Sequence, residues 1–186
     1  MKTSRHRVRL SPGLLFKWGG EYVKYGPWLW CARDEKFFAK PKILLHAMRN
    51  KSLSRRLVGT YDEEQYYNAH NLANIISKDG SLYDLKYILA VFNSSILNFC
   101  YKAHFPNVNI NPNDFRQLPI HQINFADKVE RTAHDALVAL AKRILAAKRA
   151  NLQADTSTLE REIDQQVYAL YGLTPEEIRI VEEAAK

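Results

Sequence analysis

Lys24, Tyr25, Lys40, Lys42, His46, Arg49, Lys51, Arg55 and Arg56 are the side chains in this sequence best suited to a definite chemistry, the binding of a polyanion. Lys and Arg neutralise phosphates and release condensed counterions, and Arg can also grip guanine O6 and N7 with both arms. Residues 1–56 hold 14 Lys or Arg against 3 acids, whereas acids outnumber bases in the rest of the chain. The net charge of +7 therefore arises in the first third alone. A distribution this polarised predicts nucleic acid as the partner, the competing reading being a basic face that only solvates. The run Arg49-Asn50-Lys51-Ser52-Leu53-Ser54-Arg55-Arg56 is short and polar, and reads as a loop between strands where several cations converge on one duplex. Trp18, Trp28 and Trp30, interleaved with bases upstream, fit the core of the sheet better than its surface.

Groups that make or break bonds are weak or missing. Neither a Gly-x-x-x-x-Gly-Lys-Ser/Thr loop nor a strand-linked Gly-x-Gly-x-x-Gly occurs, so no backbone cradle for nucleotide phosphates is visible. Asn111-Pro112-Asn113-Asp114 shares two residues with the Asn-Pro-Pro-Tyr/Phe loop of amino-methyltransferases but lacks the second proline and the aromatic that stacks on an extruded base. It reads as a plain turn. Asp34-Glu35-Lys36 with Glu21 upstream has the form of a metal-dependent nuclease triplet, yet Asp84-Leu85-Lys86 fits the triplet as well, at the level expected by composition. Histidines 6, 46, 70, 104, 121 and 134 show no i, i+4 pair that would aim two imidazoles at one zinc, and no Gly-x-Ser-x-Gly elbow appears.

The elements that must carry these residues change character along the chain. Leu14 to Trp30 is aromatic, apolar and broken at Gly19-Gly20 and Gly26-Pro27, the pattern of short strands and turns. Lys42 to Met48, Leu57 to Tyr61 and Tyr66 to Ile76 are further strand candidates, with the middle of the sheet in this region. From Tyr83 the spacing of Leu85, Ile88, Leu89, Phe92, Ile96 and Phe99 predicts one helix packed on the sheet. Phe105 to Ile123, dense in Pro and Asn, is a winding connector. Beyond Ala126, Val129, Ala133, Leu137, Leu140, Ile144 and Ala147 give a long helix over 126–151. Ser157 with Glu160 announces a second helix with an apolar face of Leu159, Ile163, Val167 and Leu170. Gly172 suits a left-handed C-cap, and Thr174-Pro175-Glu176-Glu177 starts a third, short helix. The fold class is mixed α+β, a twisted sheet with a packed helix in a domain over 1–125, followed by a helical hairpin and short helix over 126–186.

The chain has 186 residues, 46% apolar and 25% charged, a globular composition able to bury a core. No apolar run reaches the roughly 18 to 20 residues of a membrane-spanning helix, and the basic start lacks a signal-peptide core. Cys31 and Cys100 build neither a disulfide framework nor a zinc knuckle, so a reducing cytoplasm is the expected compartment.

Several short motifs, in order, carry a resemblance: Tyr25-Gly26-Pro27-Trp28-Leu29, Pro41-Lys42-Ile43-Leu44, Tyr87 to Ser94, Leu118-Pro119-Ile120, and Ile163-Asp164 through Tyr168 to Thr174. From about Gly20 to the C-terminus the sequence resembles the TaqI-like C-terminal specificity domain of type II restriction-modification enzymes and adenine-specific DNA methyltransferases. Where relatives often show arginine after the Lys-Ile-Leu strand, this chain has His46. The resemblance implies a mixed α/β target-recognition module that reads double-stranded DNA without catalysing. An upstream methyltransferase or nuclease domain or subunit would bind S-adenosylmethionine and act on adenine N6, leaving no cofactor or metal in this chain. The alternatives are a catalytic nuclease or methyltransferase fragment, and an interaction module in which the hairpin over 126–171 docks a partner protein.

Overall fold

The computed structural model describes residues 6–7, 22–23, 25–26, 28–30, 32–107 and 109–185. Lys24, Trp18, Cys31 and the expected strands and turns of 14–21 lie outside the described residues. A two-residue ladder, β1 (His6–Arg7), pairs antiparallel with β2 (Tyr22–Val23).

The main sheet forms around Lys42-Ile43-Leu44-Leu45-His46, a run whose first four residues are buried. Burial on both faces is what an apolar β-branched and leucine run of this length requires, and it makes β3 (Lys42–His46) the middle strand, as expected. β4 (Gly59–Asp62) lies antiparallel on one side, with Lys42 opposite Asp62 and Leu45 opposite Gly59. β5 (Leu72–Ile76) lies antiparallel on the other, with His46 opposite Leu72. Gly59 is required where it stands: a Cβ there would lie 2.5 Å from Leu45 Cδ2 and 3.3 Å from the Leu44 carbonyl. The strand expected over Tyr66 to Ile76 starts only at Leu72. The Asp62 carboxylate accepts the N–H groups of Glu64 and Tyr66, and Gln65 turns through φ 59°, which carries the chain away from the ladder.

α1 (Leu85–Asn93) is started by Asp84, whose carboxylate accepts from the Lys86 N–H at 2.8 Å. It packs on β3 and β4 and against the C-terminal helices. The single helix expected from Leu85 to Phe99 is two, because Ser94 leaves helical geometry at ψ 155° and caps the next. α2 (Ser95–His104) then turns against the last two helices. The connector behaves as its composition dictates, irregular except for one short helix, α3 (Pro112–Phe115).

α4 (Lys128–Ala150) is 23 residues long, about 35 Å at 1.5 Å per residue. Its buried stripe is His134, Leu137, Val138, Leu140 and Ala141, whereas Val129, expected in the seam, is 77% exposed on the first turn. α5 (Ser157–Tyr171) returns along α4 to complete the expected hairpin. Thr156 rather than Ser157 occupies the N-cap, and its hydroxyl donates to Glu160 at 2.8 Å. Gly172 adopts the left-handed conformation at φ 66° that a side chain would resist, and α6 (Pro175–Ala184) starts with Pro175 in its first turn, both as the sequence predicts, with Thr174 and Glu177 forming a capping box besides. Among the described residues no helix is long and apolar enough to cross a membrane.

One hydrophobic cluster joins Ile43, Leu45 and Leu57 through Tyr87, Val91 and Leu97 to Leu137, Leu140, Val167 and Val181. Residue 126, the expected boundary between sheet domain and hairpin, marks the approach to α4 but no break in this core.

Candidate nucleic-acid interface

β3 leaves the sheet at His46, and residues 47–58 form the loop to β4 that the sequence predicts. Its ends are fixed from outside. The Asn98 side chain of α2 accepts from the backbone N–H groups of Arg56 and Leu57, each at 2.7 Å, and donates to the Leu57 carbonyl at 3.2 Å. Asn93 of α1 accepts from the Gly59 N–H at 2.8 Å and donates to its carbonyl at 3.1 Å. At the start of the loop, Ala47 donates to the Asn71 carbonyl at 2.9 Å and accepts from the Ile110 N–H at 2.8 Å. Met48 forms an isolated antiparallel bridge with Asn109. The middle of the loop, Asn50 to Ser54, is exposed to solvent.

Of the nine residues singled out by charge and placement, this arrangement gathers three at the sheet end: His46 and Arg49, both half-buried, and Lys51, exposed and without an ion pair among the described residues. Arg49 donates through Nε to the Arg55 carbonyl at 3.2 Å. Arg55 turns inward instead, donating to Glu160 of α5 at 3.0 Å with Asp164 at 3.9 Å, so its charge ties the loop to the hairpin. Arg56 is only 1% exposed; its guanidinium lies over the Tyr101 ring and donates to the Asn107 carbonyl at 2.6 Å. Lys42 is fully buried in an ion pair with Asp62 and a 3.2 Å hydrogen bond to the Phe38 carbonyl. Lys42 and Arg56 therefore cannot reach a duplex from where the fold places them. A buried charge must be compensated: the Asp62 carboxylate does so for Lys42, and a carbonyl and an aromatic face hold Arg56.

Lys40 and Tyr25 belong to the other end of β3, about 13 Å or more from His46 by the rise of the strand. Lys40 is exposed and pairs with Asp79 at 2.6 Å. Tyr25 packs against Tyr67 and Phe38 at ring distances of 4.7 and 5.9 Å, an aromatic cap in which Phe38 and Tyr67 stack at 4.5 Å. Trp28 and Trp30, expected in the core, are exposed in the turn that follows, Trp30 completely, because the chain there turns from Gly26 to Leu29 instead of entering the sheet.

The electrostatics of the sheet end are those of crowded positive charge. Burial and the neighbouring Arg49 hold the His46 imidazole below its ordinary range. Burial and the nearby Arg56 lower Arg49 in the same way. No carboxylate pairs with Arg49 or Lys51 among the described residues, which leaves this edge of the molecule ready for an anion.

The other candidate chemistries separate. Asp34 pairs with Lys36 at 2.8 Å, whereas Glu35 accepts from the Tyr67 hydroxyl at 2.9 Å. Asp84 is consumed by its cap, and Lys86 sits over the Tyr61 ring at 3.7 Å. Asp114 accepts from the Asn111 N–H at 3.1 Å and the Tyr101 hydroxyl at 3.2 Å, so Asn111 to Asp114 cap and open the short helix α3 where a plain turn was expected. Among the described residues no group of three His, Cys, Asp or Glu could hold a metal ion.

Sequence reasoning missed the asparagines. Asn93 and Asn98 sit in a helical stripe whose apolar positions draw attention, and the signal available was two amides on faces otherwise made of core residues. Comparison with curated proteins finds no match. The sequence matches the TaqI-like C-terminal specificity domain over residues 14–120, which contains the main sheet, the β3–β4 loop, α1, α2 and most of the connector but not the hairpin or the Ile163 to Thr174 motif. More than half of the chain is covered, and the matched portion is the one that builds the exposed basic edge. The chain thus belongs to the TaqI-like C-terminal specificity domain family, the DNA target-recognition modules of restriction-modification enzymes.

Proposed function

We propose that this chain supplies sequence recognition to an enzyme that methylates adenine N6 in duplex DNA, or cleaves that DNA, and contributes no bond-making group itself. The observation that carries the reading is the edge at the end of β3, where Arg49 and Lys51, beside a neutral His46, present positive charge that no acid among the described residues neutralises. Phosphates meet Arg49 and Lys51 and set the register, after which polar side chains beside them test base edges. Bond making belongs to a companion domain or subunit, and S-adenosylmethionine with it.

The test is binding of the chain to duplex DNA titrated against salt. Affinity should fall steeply as salt rises, with a log–log slope set by the phosphates engaged. A flat response, or methyl transfer by the chain alone, defeats the reading.

A further inference from the structure

The connector between α2 and α3 contains three asparagines at alternate positions, 107, 109 and 111. The fold treats them as a strand-like edge: Ile110 is buried, and Asn107, Asn109 and Asn111 are exposed. Two contacts hold that edge against the basic loop. Met48 bridges Asn109, one residue before Arg49, and the Arg56 guanidinium holds the Asn107 carbonyl at 2.6 Å. The Ile110 N–H donates to Ala47 at 2.8 Å, so the segment extends the sheet end rather than floating beside it. Asn109 is thereby placed next to the cations that would meet phosphates, on backbone held by hydrogen bonds, the support a reading side chain needs.

Its amide is uncommitted. Among the described residues, the side-chain amides of Asn107 and Asn109 make no hydrogen bond. A primary amide offers one donor and one acceptor side by side, the complement of adenine N7 and N6–H in the major groove. Resting on the proposed DNA-reading role, we propose that Asn109 reads an adenine edge in the recognition sequence, with the β3–β4 cations fixing its register from the adjacent phosphates.

The experiment uses the 186-residue chain and duplexes selected by it from a randomised pool. Each adenine of the selected sequence is then replaced in turn by 7-deazaadenine, which lacks the N7 acceptor. Wild type should lose affinity sharply at one adenine. Asn109→Ala should weaken binding to the unmodified duplex about 5- to 100-fold and make 7-deazaadenine harmless at that position, with the salt slope unchanged. Asn109→Asp keeps the shape but removes the donor to N7 and should behave alike, and a melting temperature equal to wild type certifies that both variants fold. An unchanged consensus with undiminished 7-deazaadenine sensitivity overturns the assignment while leaving DNA reading intact. A uniform loss with a shallower salt slope also overturns it, by making Asn109 a phosphate contact. If wild type binds no duplex, the DNA-reading role itself fails and the assignment with it.

Discussion

The buried pair of Lys42 and Asp62 joins β3 to β4, and each member is held by more than the other's charge: Lys42 also reaches the Phe38 carbonyl, and Asp62 accepts the Tyr66 N–H. Removing the lysine leaves a carboxylate with neither water nor counter-charge, so Lys42→Ala should cost about 3–5 kcal/mol in urea unfolding. Lys51→Ala, at an exposed and unpaired position, should leave unfolding within about 0.5 kcal/mol of wild type, weaken DNA binding evenly across sequences, and reduce the salt slope by about one. Charge and chain position do not separate these two lysines, because the partner that draws Lys42 inward is 20 residues away and becomes its neighbour only when the strands pair. His46 gives a pH signature. Its folded value lies below the ordinary 6.5 through burial and then Arg49, so below pH 6.5 the unfolded chain binds protons that the folded chain refuses. Stability should be intact above pH 6.5 and decline as pH falls from there through the lower folded value, and in His46→Gln that part of the decline should vanish when unfolding is compared at pH 7.5 and 5.5.

Between residue and fold, α1 and α2 act as brackets for the loop. Asn98 satisfies two buried N–H groups at the loop's exit, and an apolar replacement strands both at about 1–3 kcal/mol each. Asn98→Leu should therefore destabilise the chain by a few kcal/mol in denaturant titration and weaken DNA binding by loosening residues 49–56, although Asn98 itself is buried and touches no DNA. Local grammar made many of these elements readable: β3 from its apolar run, α4 from its periodicity, the end of α5 from Gly172 and the start of α6 from Pro175 and the acids after it. The break at Ser94 was not readable from hydrophobic spacing, since Leu85 to Phe99 keeps one period across it. What ends α1 is a serine whose hydroxyl donates to the Val91 carbonyl at 2.7 Å, and whose following residue donates from both backbone and hydroxyl to Asp164 of α5 at 2.7 Å. Such tertiary caps depend on chain that lies 69 residues downstream. The candidate site was legible at the same level: the loop could be read from its polarity, the gathering of His46 with the cations Arg49 and Lys51 only from the pairing of strands.

At the scale of the molecule, the hairpin outside the matched region does more than cover a flank. Arg55 binds Glu160 and lies near Asp164, and the carboxylate of Asp164, pushed above its ordinary range by burial, also holds the first residue of α2. The basic loop, α2 and α5 thus meet at one place, and Leu137, Leu140, Val167 and Val181 share a core with Ile43 and Leu45. A fragment of residues 1–125 would expose the apolar faces of α1 and α2, where each buried aliphatic or aromatic side chain contributes about 1.5–3 kcal/mol, against a total stability of about 5–15 kcal/mol for a domain. Losing several such contacts exceeds that margin. The full chain should accordingly unfold in one transition, with far-ultraviolet circular dichroism and the near-ultraviolet signal of the buried Tyr87, Tyr101 and Tyr168 coincident, and the 1–125 fragment should show no cooperative transition and no sequence-specific DNA binding. A fragment that melts cooperatively and selects the same sequence would show that sheet and hairpin are independent units and that the Arg55 tie is dispensable.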